Sequence, residues 1–353
     1  MTRRLAAVAL AGVLAACASS GDARPPSTTA AAGTATATAT SATTSTGATA
    51  STSTSTSTSS GTTVAPVTSA STATATSTPP ATTATTITPT LLVGLATDPL
   101  GLAAQLTAAL RTIHDRAPGA DAVVAAGRQQ QLVMRRLAVH PEWQTVTLAA
   151  VGDDVRSFAA NDVTAANAPG DATLAKPVPP LDALPAWTVR APRPVEELLG
   201  YYKEAEARTG IGWFYLAAIN FVETRMGRVS GRSTAGAVGP MQFLPSTWAV
   251  CCTGDPTDDR DAVLGAATYL QRRGAPGDMA RAILGYNPNN AYLTMIQRYA
   301  ENMATDERTF LGYHAWQVFV STVAGPVRVP VGFRTDTPIP AAQYVADHPD
   351  DRA

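Results

Sequence analysis

No charged residue occurs between Arg24 and Asp98, a run of 73 positions, and this gap divides the chain into two unlike materials. From about Pro25 to Thr90 the composition is Thr, Ala and Ser with scattered Pro and Gly. Such a stretch has too little apolar surface to offset the entropy of ordering its backbone. Alternation as in Ser51-Thr52-Ser53-Thr54 pairs polar with polar and makes no half-buried strand. We therefore expect 18–97 to be a disordered linker, with a span on the order of 45 Å as a flexible coil. The capacity to fold lies behind it, since all 21 aromatic residues stand at or after Trp143. Residues 98–353 carry 23 basic and 26 acidic side chains, a net charge near −3. Nucleic acid needs a basic partner that releases counterions from phosphate, so that partner class is disfavoured. Three cysteines cannot staple a disulfide-rich scaffold. No apolar run is long enough to cross a bilayer.

The amino terminus carries a different signal. Met1-Thr2-Arg3-Arg4 is a short basic segment, and Leu5 to Ala16 is an apolar run too short to span a membrane. It ends in Leu14-Ala15-Ala16-Cys17, which resembles the bacterial lipobox. In that pattern 1–17 is a lipoprotein signal peptide, and Cys17 becomes the first mature residue with a diacylglycerol on its sulfur. The alternative is an ordinary signal peptide whose cleavage site happens to contain Cys. The expectation is export and lipid anchoring to the outer face of the cell membrane, in the cell-wall space.

The rest reads as mainly helical. Apolar residues at three- and four-residue spacing predict helices over 102–115, 121–139 (Val124, Leu132, Leu137) and 146–165. Proline-rich 177–194 reads as an extended strap. Further helices are predicted over 195–208, 213–226, 245–249, 260–273, 278–284 and 291–305. Near the end the period changes, and 316–320 with 327–331 read as a short β-hairpin through Ala324-Gly325-Pro326. The expected organisation is a helical extension and strap over 98–193, a helical domain over 194–305 and a carboxy-terminal extension over 306–353.

Glu223 is the only acid between Glu206 and Asp255. Leu216, Ile219 and Glu223 fall on one helical face. An acid on an apolar face loses hydration, which raises its pKa. Gly227 is expected to end the helix, so Glu223 lies in the last turn, where the carbonyl end of the dipole acts in the same direction. A carboxyl group that stays protonated near neutrality can donate a proton to a leaving oxygen. The alternative is a structural acid paired with Arg225 or Arg228, or one facing solvent.

Downstream stand Gly239-Pro240-Met241-Gln242-Phe243-Leu244-Pro245-Ser246-Thr247-Trp248 and, later, Gly285-Tyr286-Asn287, with Tyr292 shortly after. With Glu223-Thr224, these segments resemble the lytic transglycosylases of the lysozyme-like superfamily, in their exported actinobacterial-type lipoprotein form. The resemblance covers roughly 195–305. Two positions depart from the family pattern: Thr224 stands for the usual Ser and keeps the hydroxyl, and Gly285 stands for Ala. The resemblance implies a lysozyme-like helical catalytic domain that cleaves the bond between N-acetylmuramic acid and N-acetylglucosamine. It implies Glu223 as general acid and then general base, with closure of a 1,6-anhydro ring. Thr224, Gly239, Met241, Gln242, Tyr286 and Asn287 would bind the glycan strand, with Tyr286 reaching Glu223 or the reacting sugar. No cofactor or metal is implied. The expected partners are peptidoglycan strands and, through the anchor, the membrane; a monomer is expected.

Other constellations are weaker. Cys251-Cys252 either form a vicinal disulfide in an oxidising compartment or remain thiols. Asp255, Asp258, Asp259 and Asp261 crowd one loop without the Asp-x-Asp-x-Asp-Gly spacing of a calcium loop, and Asp261 is alternatively a helix-starting residue. The four histidines lack metal-ligand spacing. Tyr313, Trp316 and Phe319 suit core packing better than a glycan cleft. Two function classes outside the lead remain: a hydrolytic muramidase on the same scaffold, and a non-catalytic, membrane-tethered glycan-binding lipoprotein.

Overall fold

The computed structural model describes residues 94–168 and 180–352. Cys17, the signal segment and the linker lie outside the described residues. The fold is mainly α, with twelve α-helices among the described residues and three two-stranded antiparallel ladders. It is consistent with a lysozyme-like helical fold. Among the described residues no helix is long and apolar enough to cross a membrane.

The first four helices build the amino-terminal part. α1 (Pro99–His114) starts where Asp98 Oδ1 accepts from the Leu100 and Gly101 amides, with Pro99 in the first turn. α2 (Ala120–Val139) packs along it, burying Val123, Val133 and Leu137, whereas Val124 faces outward. The helix expected over 146–165 is two helices, α3 (Gln144–Ala150) and α4 (Arg156–Ala166). The Gly152-Asp153-Asp154 turn interrupts it, and Arg156 donates to the freed carbonyls of Leu148 and Val151, so the break leaves them satisfied. Asp162 of α4 is fully buried. It accepts hydrogen bonds from Gln130 (2.7 Å), Tyr313 (2.5 Å) and Asn302 (3.2 Å). Burial pushes its carboxyl up to about 6 against the pull of those donors.

From Pro180 onward the strap is extended, with β1 (Ala183–Leu184) and β2 (Thr188–Val189). Next come α5 (Val195–Thr209), α6 (Trp213–Thr224), β3 (Val229–Ser230), α7 (Pro245–Cys251), α8 (Asp259–Arg272), α9 (Met279–Tyr286) and α10 (Asn290–Thr305). α11 (Arg308–His314), which like the last helix Ala341–Asp347 was not anticipated from sequence, follows. β4 (Val318–Thr322) and β5 (Gly325–Val329) then form the hairpin, close to its predicted place. β6 (Ile339–Pro340) returns to pair with β1, β2 pairs with β3, and α12 (Ala341–Asp347) closes the chain.

A single apolar core runs from Leu95 through α6 to Phe319, so the amino-terminal helices and the 194–305 segment share it. α6 is its axis. Every residue from Leu216 to Thr224 is buried, because the helix is apolar nearly all round. Leu216, Ile219 and Phe221 have no exposed surface, each worth about 1.5–3 kcal/mol of burial. Tyr313, Trp316 and Phe319 join this core around Phe221, as their core reading anticipates. A second core, with Trp187, Val320, Val327 and Tyr344, sits under the hairpin.

The side constellations resolve as structure. Cys251 and Cys252 are joined in a vicinal disulfide. Asp258, not Asp261, caps α8 by accepting from the Arg260 and Asp261 amides. Asp259 takes both Arg190 and Arg193, Asp255 takes Thr257, and Asp261 takes the Asp255 amide. His114 pairs with Asp306 and His140 with Glu142, while His314 bonds the Arg193 carbonyl.

Candidate active site

α6 ends at Thr224, two residues before the predicted boundary, so Glu223 is the penultimate residue of the helix. Beyond it Arg225 (φ 55°), Met226 (φ 59°) and Gly227 (φ 74°) are consecutively left-handed. Two non-glycine residues in that region carry strain on the order of 1 kcal/mol each or more. Specific bonds hold the turn. The amides of Arg225 and Met226 donate to Phe221 O and Asn220 O, and the Gly227 amide donates to Thr224 Oγ1 at 3.1 Å.

The side chains of Thr224 and Asn220 clamp the loop that faces α6. Thr224 Oγ1 donates to Pro240 O at 2.7 Å, and Asn220 Nδ2 donates to that same oxygen at 2.8 Å. Tyr202 Oη donates to Asn220 Oδ1 at 2.6 Å and fixes the amide. Thr224 is therefore fully buried with its proton committed to the loop, and it positions Pro240. Gly239 has φ 77°, and a methyl there would overlap the Pro256 carbonyl oxygen, so only glycine fits. Val238 and Phe243 bridge the loop ends, and Gln242 closes the turn at φ 50° with Nε2 donating to Gly239 O at 2.9 Å. Met241 and Phe243 both lie in the core under this loop.

Glu223 has no exposed surface. Tyr292 Oη donates to its Oε1 at 2.7 Å, and Oε2 has no partner among the described residues. Burial pushes the carboxyl up to about 8, and the Tyr292 hydrogen bond pulls the other way. The ion pair with Arg225 or Arg228, the alternative weighed from sequence, is not formed. Arg225 stacks over Phe221 and Arg228 donates to His314 O. Tyr292 itself is set by α10, whose first turn is capped by Asn289 Oδ1 accepting from the Ala291 and Tyr292 amides.

Tyr286 holds a different partner: its hydroxyl donates to Met241 O at 2.5 Å. The phenol on Glu223 is that of Tyr292, and the two rings lie parallel with centroids 6.4 Å apart. Phe243, Tyr269 and Tyr286 form a mutually edge-on cluster. A cleft beside it is lined by Gln242, Phe243, Leu244, Thr247, Tyr269, Tyr286 and Pro288. Asn287 is buried with both amide atoms unpartnered, and Gln242 Oε1 is likewise unpartnered.

These orphans form a pattern. Six buried side-chain nitrogen or oxygen atoms lack a partner among the described residues, and four belong to Glu223, Gln242 and Asn287. Buried polar atoms are satisfied in the great majority of cases, so each of these exceptions calls for a partner, an ordered water or a polar atom of a ligand.

Over 129 residues the chain is 27% identical to membrane-bound lytic murein transglycosylase F of Thiobacillus denitrificans. The match spans 34% of this chain and 27% of that protein. No family model and no solved structure matches the chain. The similarity is thus distant and partial, and it points to the lytic transglycosylases at the family level.

Of the residues singled out from sequence, Gln242 and Tyr286 line the cleft, and Glu223, Gln242 and Asn287 carry buried atoms without a partner among the described residues. Gly239 and Thr224 shape the loop, and Met241 lies beneath it. Tyr292 is the residue that sequence reasoning left without a role. The signal that could have found it is the Asn289 cap, which puts position 292 in the first turn of α10, close behind Tyr286-Asn287.

Proposed function

We propose that this chain is a peptidoglycan lytic transglycosylase in which Glu223 acts as general acid and then general base. The observation that carries the reading is the state of that carboxyl. It is buried and raised to about 8, so it holds a proton at neutral pH. Tyr292 occupies Oε1 and leaves Oε2 free to carry the transferable proton. A hydrolysing glycosidase generally needs two carboxylates flanking the bond, whereas an intramolecular displacement needs one group that gives and retakes a proton. No second acid occurs between 207 and 254, which supports the one-carboxylate reaction.

In this reading Glu223 protonates the oxygen between N-acetylmuramic acid and N-acetylglucosamine. The carboxylate left behind takes the proton of the muramic C6 hydroxyl as that oxygen attacks C1, closing the 1,6-anhydro ring without water. An internal nucleophile has a large entropic advantage when the site holds it in an attack geometry. Gln242 Oε1 and the Asn287 amide are the unpartnered groups that would bond the sugar substituents, and Tyr286 would hold the loop through Met241 O. The carboxyl is closed to solvent, so glycan binding must open the cover over Oε2. We place the catalytic segment at 194–305. Anchoring through Cys17 and a linker over 18–97 would hold it at the wall.

The deciding experiment is digestion of purified sacculi with the full chain, followed by mass analysis of the released muropeptides. Anhydromuramic ends are expected. Reducing muramic ends would mean hydrolysis on the same scaffold, and no release would favour a glycan-binding lipoprotein.

A further inference from the structure

Arg128, Gln131 and Arg135 recur on α2 at three- and four-residue spacing and share one face. Gln131 fixes what that face meets. Its Nε2 donates to Gln317 O and its Oε1 accepts from Gln317 N, both at 2.8 Å. One turn on, the Arg135 guanidinium lies 3.9 Å from the Phe319 ring centroid. The Arg225 guanidinium reaches the same segment from the left-handed turn after α6, 4.5 Å from the Phe221 centroid and 5.6 Å from that of Trp316.

Neither arginine has an acidic partner among the described residues. Arg225 makes one hydrogen bond, from Nη1 to Phe221 O, and Arg135 makes none to a described residue. Three residues on, Arg228 gives Nη2 to His314 O, and its buried Nε has no acceptor. Other arginines of the fold do meet acids: Arg190 and Arg193 share Asp259, and Arg328 meets Asp351. Arg135, Arg225 and Arg228 are half-buried, so donors that no protein acceptor takes still face water or an incoming acceptor. Burial together with the nearby Arg225 charge pushes Arg135 down to about 10, and burial with the Arg128 charge does the same to Arg228. The two cations interact electrostatically, each lies over an aromatic ring, and the donors not spent on Phe221 O are open to a third group. Edge donors in a fork match the oxygens of a carboxylate or phosphate.

We propose that Arg135 and Arg225, with Arg228 alongside, form an oxyanion site at the junction of α2, the turn after α6 and the head of the β4–β5 hairpin. Its ligand is a carboxylate or phosphate group. The site uses neither Glu223 nor Tyr292, so it stands apart from the reaction proposed above.

The test is calorimetric titration of the purified full chain with inorganic phosphate and, separately, acetate, at ionic strength held constant with chloride. One saturable site is expected, and the tighter anion names the oxyanion class. Arg135→Gln should weaken that binding roughly tenfold or more, the order of one lost hydrogen bond to a charged group. Arg135→Lys, which keeps the charge without the fork, should weaken it less. If Arg135→Gln does not fold, the nitrogen resonances of the arginine side chains in the unmodified protein serve instead, with those of Arg135 and Arg225 expected to shift on saturation. Absence of saturable binding by either anion overturns the proposal. So does binding that Arg135→Gln leaves unchanged, or saturation that moves neither arginine.

Discussion

Replacing Glu223 by Gln should remove the reaction and, at the same time, stabilise the fold in a pH-dependent way. The native carboxyl holds its proton up to about 8, whereas the unfolded chain releases it near the ordinary value of 4.5. Between those values the native state binds one proton more than the unfolded state, so the Glu223 contribution to stability falls as pH rises. Each unit is about 1.4 kcal/mol, which gives a ceiling on the order of 5 kcal/mol above pH 8 and about 3 kcal/mol at pH 7. Gln is the isostere of the protonated acid and does not titrate. Its Oε1 can keep the Tyr292 bond, and its profile should lack that slope. For a domain of 150–250 residues about 1 kcal/mol is 2–4 °C, so the variant should melt roughly 6–12 °C higher at pH 7 and nearly level with the parent at about pH 4. The assay is thermal or urea unfolding of both proteins across that pH range. Parallel profiles would refute the buried, protonated acid, whatever the variant does to muropeptide release.

Three further outcomes follow from the same geometry. Tyr292→Phe removes the hydrogen bond on Glu223 Oε1 that lowers its pKa, so the alkaline limb of the pH–rate profile should move up while kcat falls roughly tenfold or more. Thr224→Val orphans Pro240 O in part and the Gly227 amide wholly, for a loss of about 2–4 kcal/mol in urea unfolding, whereas Thr224→Ser keeps the hydroxyl and should be within about 1 kcal/mol of the parent. Gly239→Ala combines a left-handed φ with overlap on the Pro256 carbonyl and should cost about 3 kcal/mol or more, with protease cleavage appearing in the 233–243 loop.

How much of this was legible in the sequence depends on whether a feature is local. Helix starts were readable within one residue at the runs that Asp258, Asp278 and Asn289 cap, whereas the first helix starts at Pro99 behind Asp98, three residues before its predicted start at 102. The hairpin was readable because the period changes to two on both sides of Ala324-Gly325-Pro326. The 146–165 helix was misread because periodicity carries across the Gly152-Asp153-Asp154 turn. What ends α3 is a distant guanidinium, Arg156, taking carbonyls five to eight residues back. The β1–β6 pairing joins residues more than 150 apart and has no local signature at two residues per strand.

The site divides along the same line, and the division bears on how its acid works. The isolation of Glu223 was visible as a gap in acidic composition, but the apolar face used to argue its burial was not decisive, since α6 is buried on every side. The proton's location depends on contacts between segments that sequence does not order. Tyr286, the tyrosine of the motif, holds the loop carbonyl of Met241, while Tyr292 holds Glu223. One phenol therefore shapes the loop and the other orients the acid. Both interactions hang on the Asn287–Asn289 segment, where α9 ends and α10 begins. Glu223 is in turn fixed from below by Thr224 and Asn220 gripping Pro240, with three left-handed residues absorbing the sharp exit from the helix. Strain of that kind persists only where the surroundings over-determine it. Here the determinants are the same bonds that hold the Gly239–Gln242 loop against the acid, so the helix end and the loop are one mechanical unit.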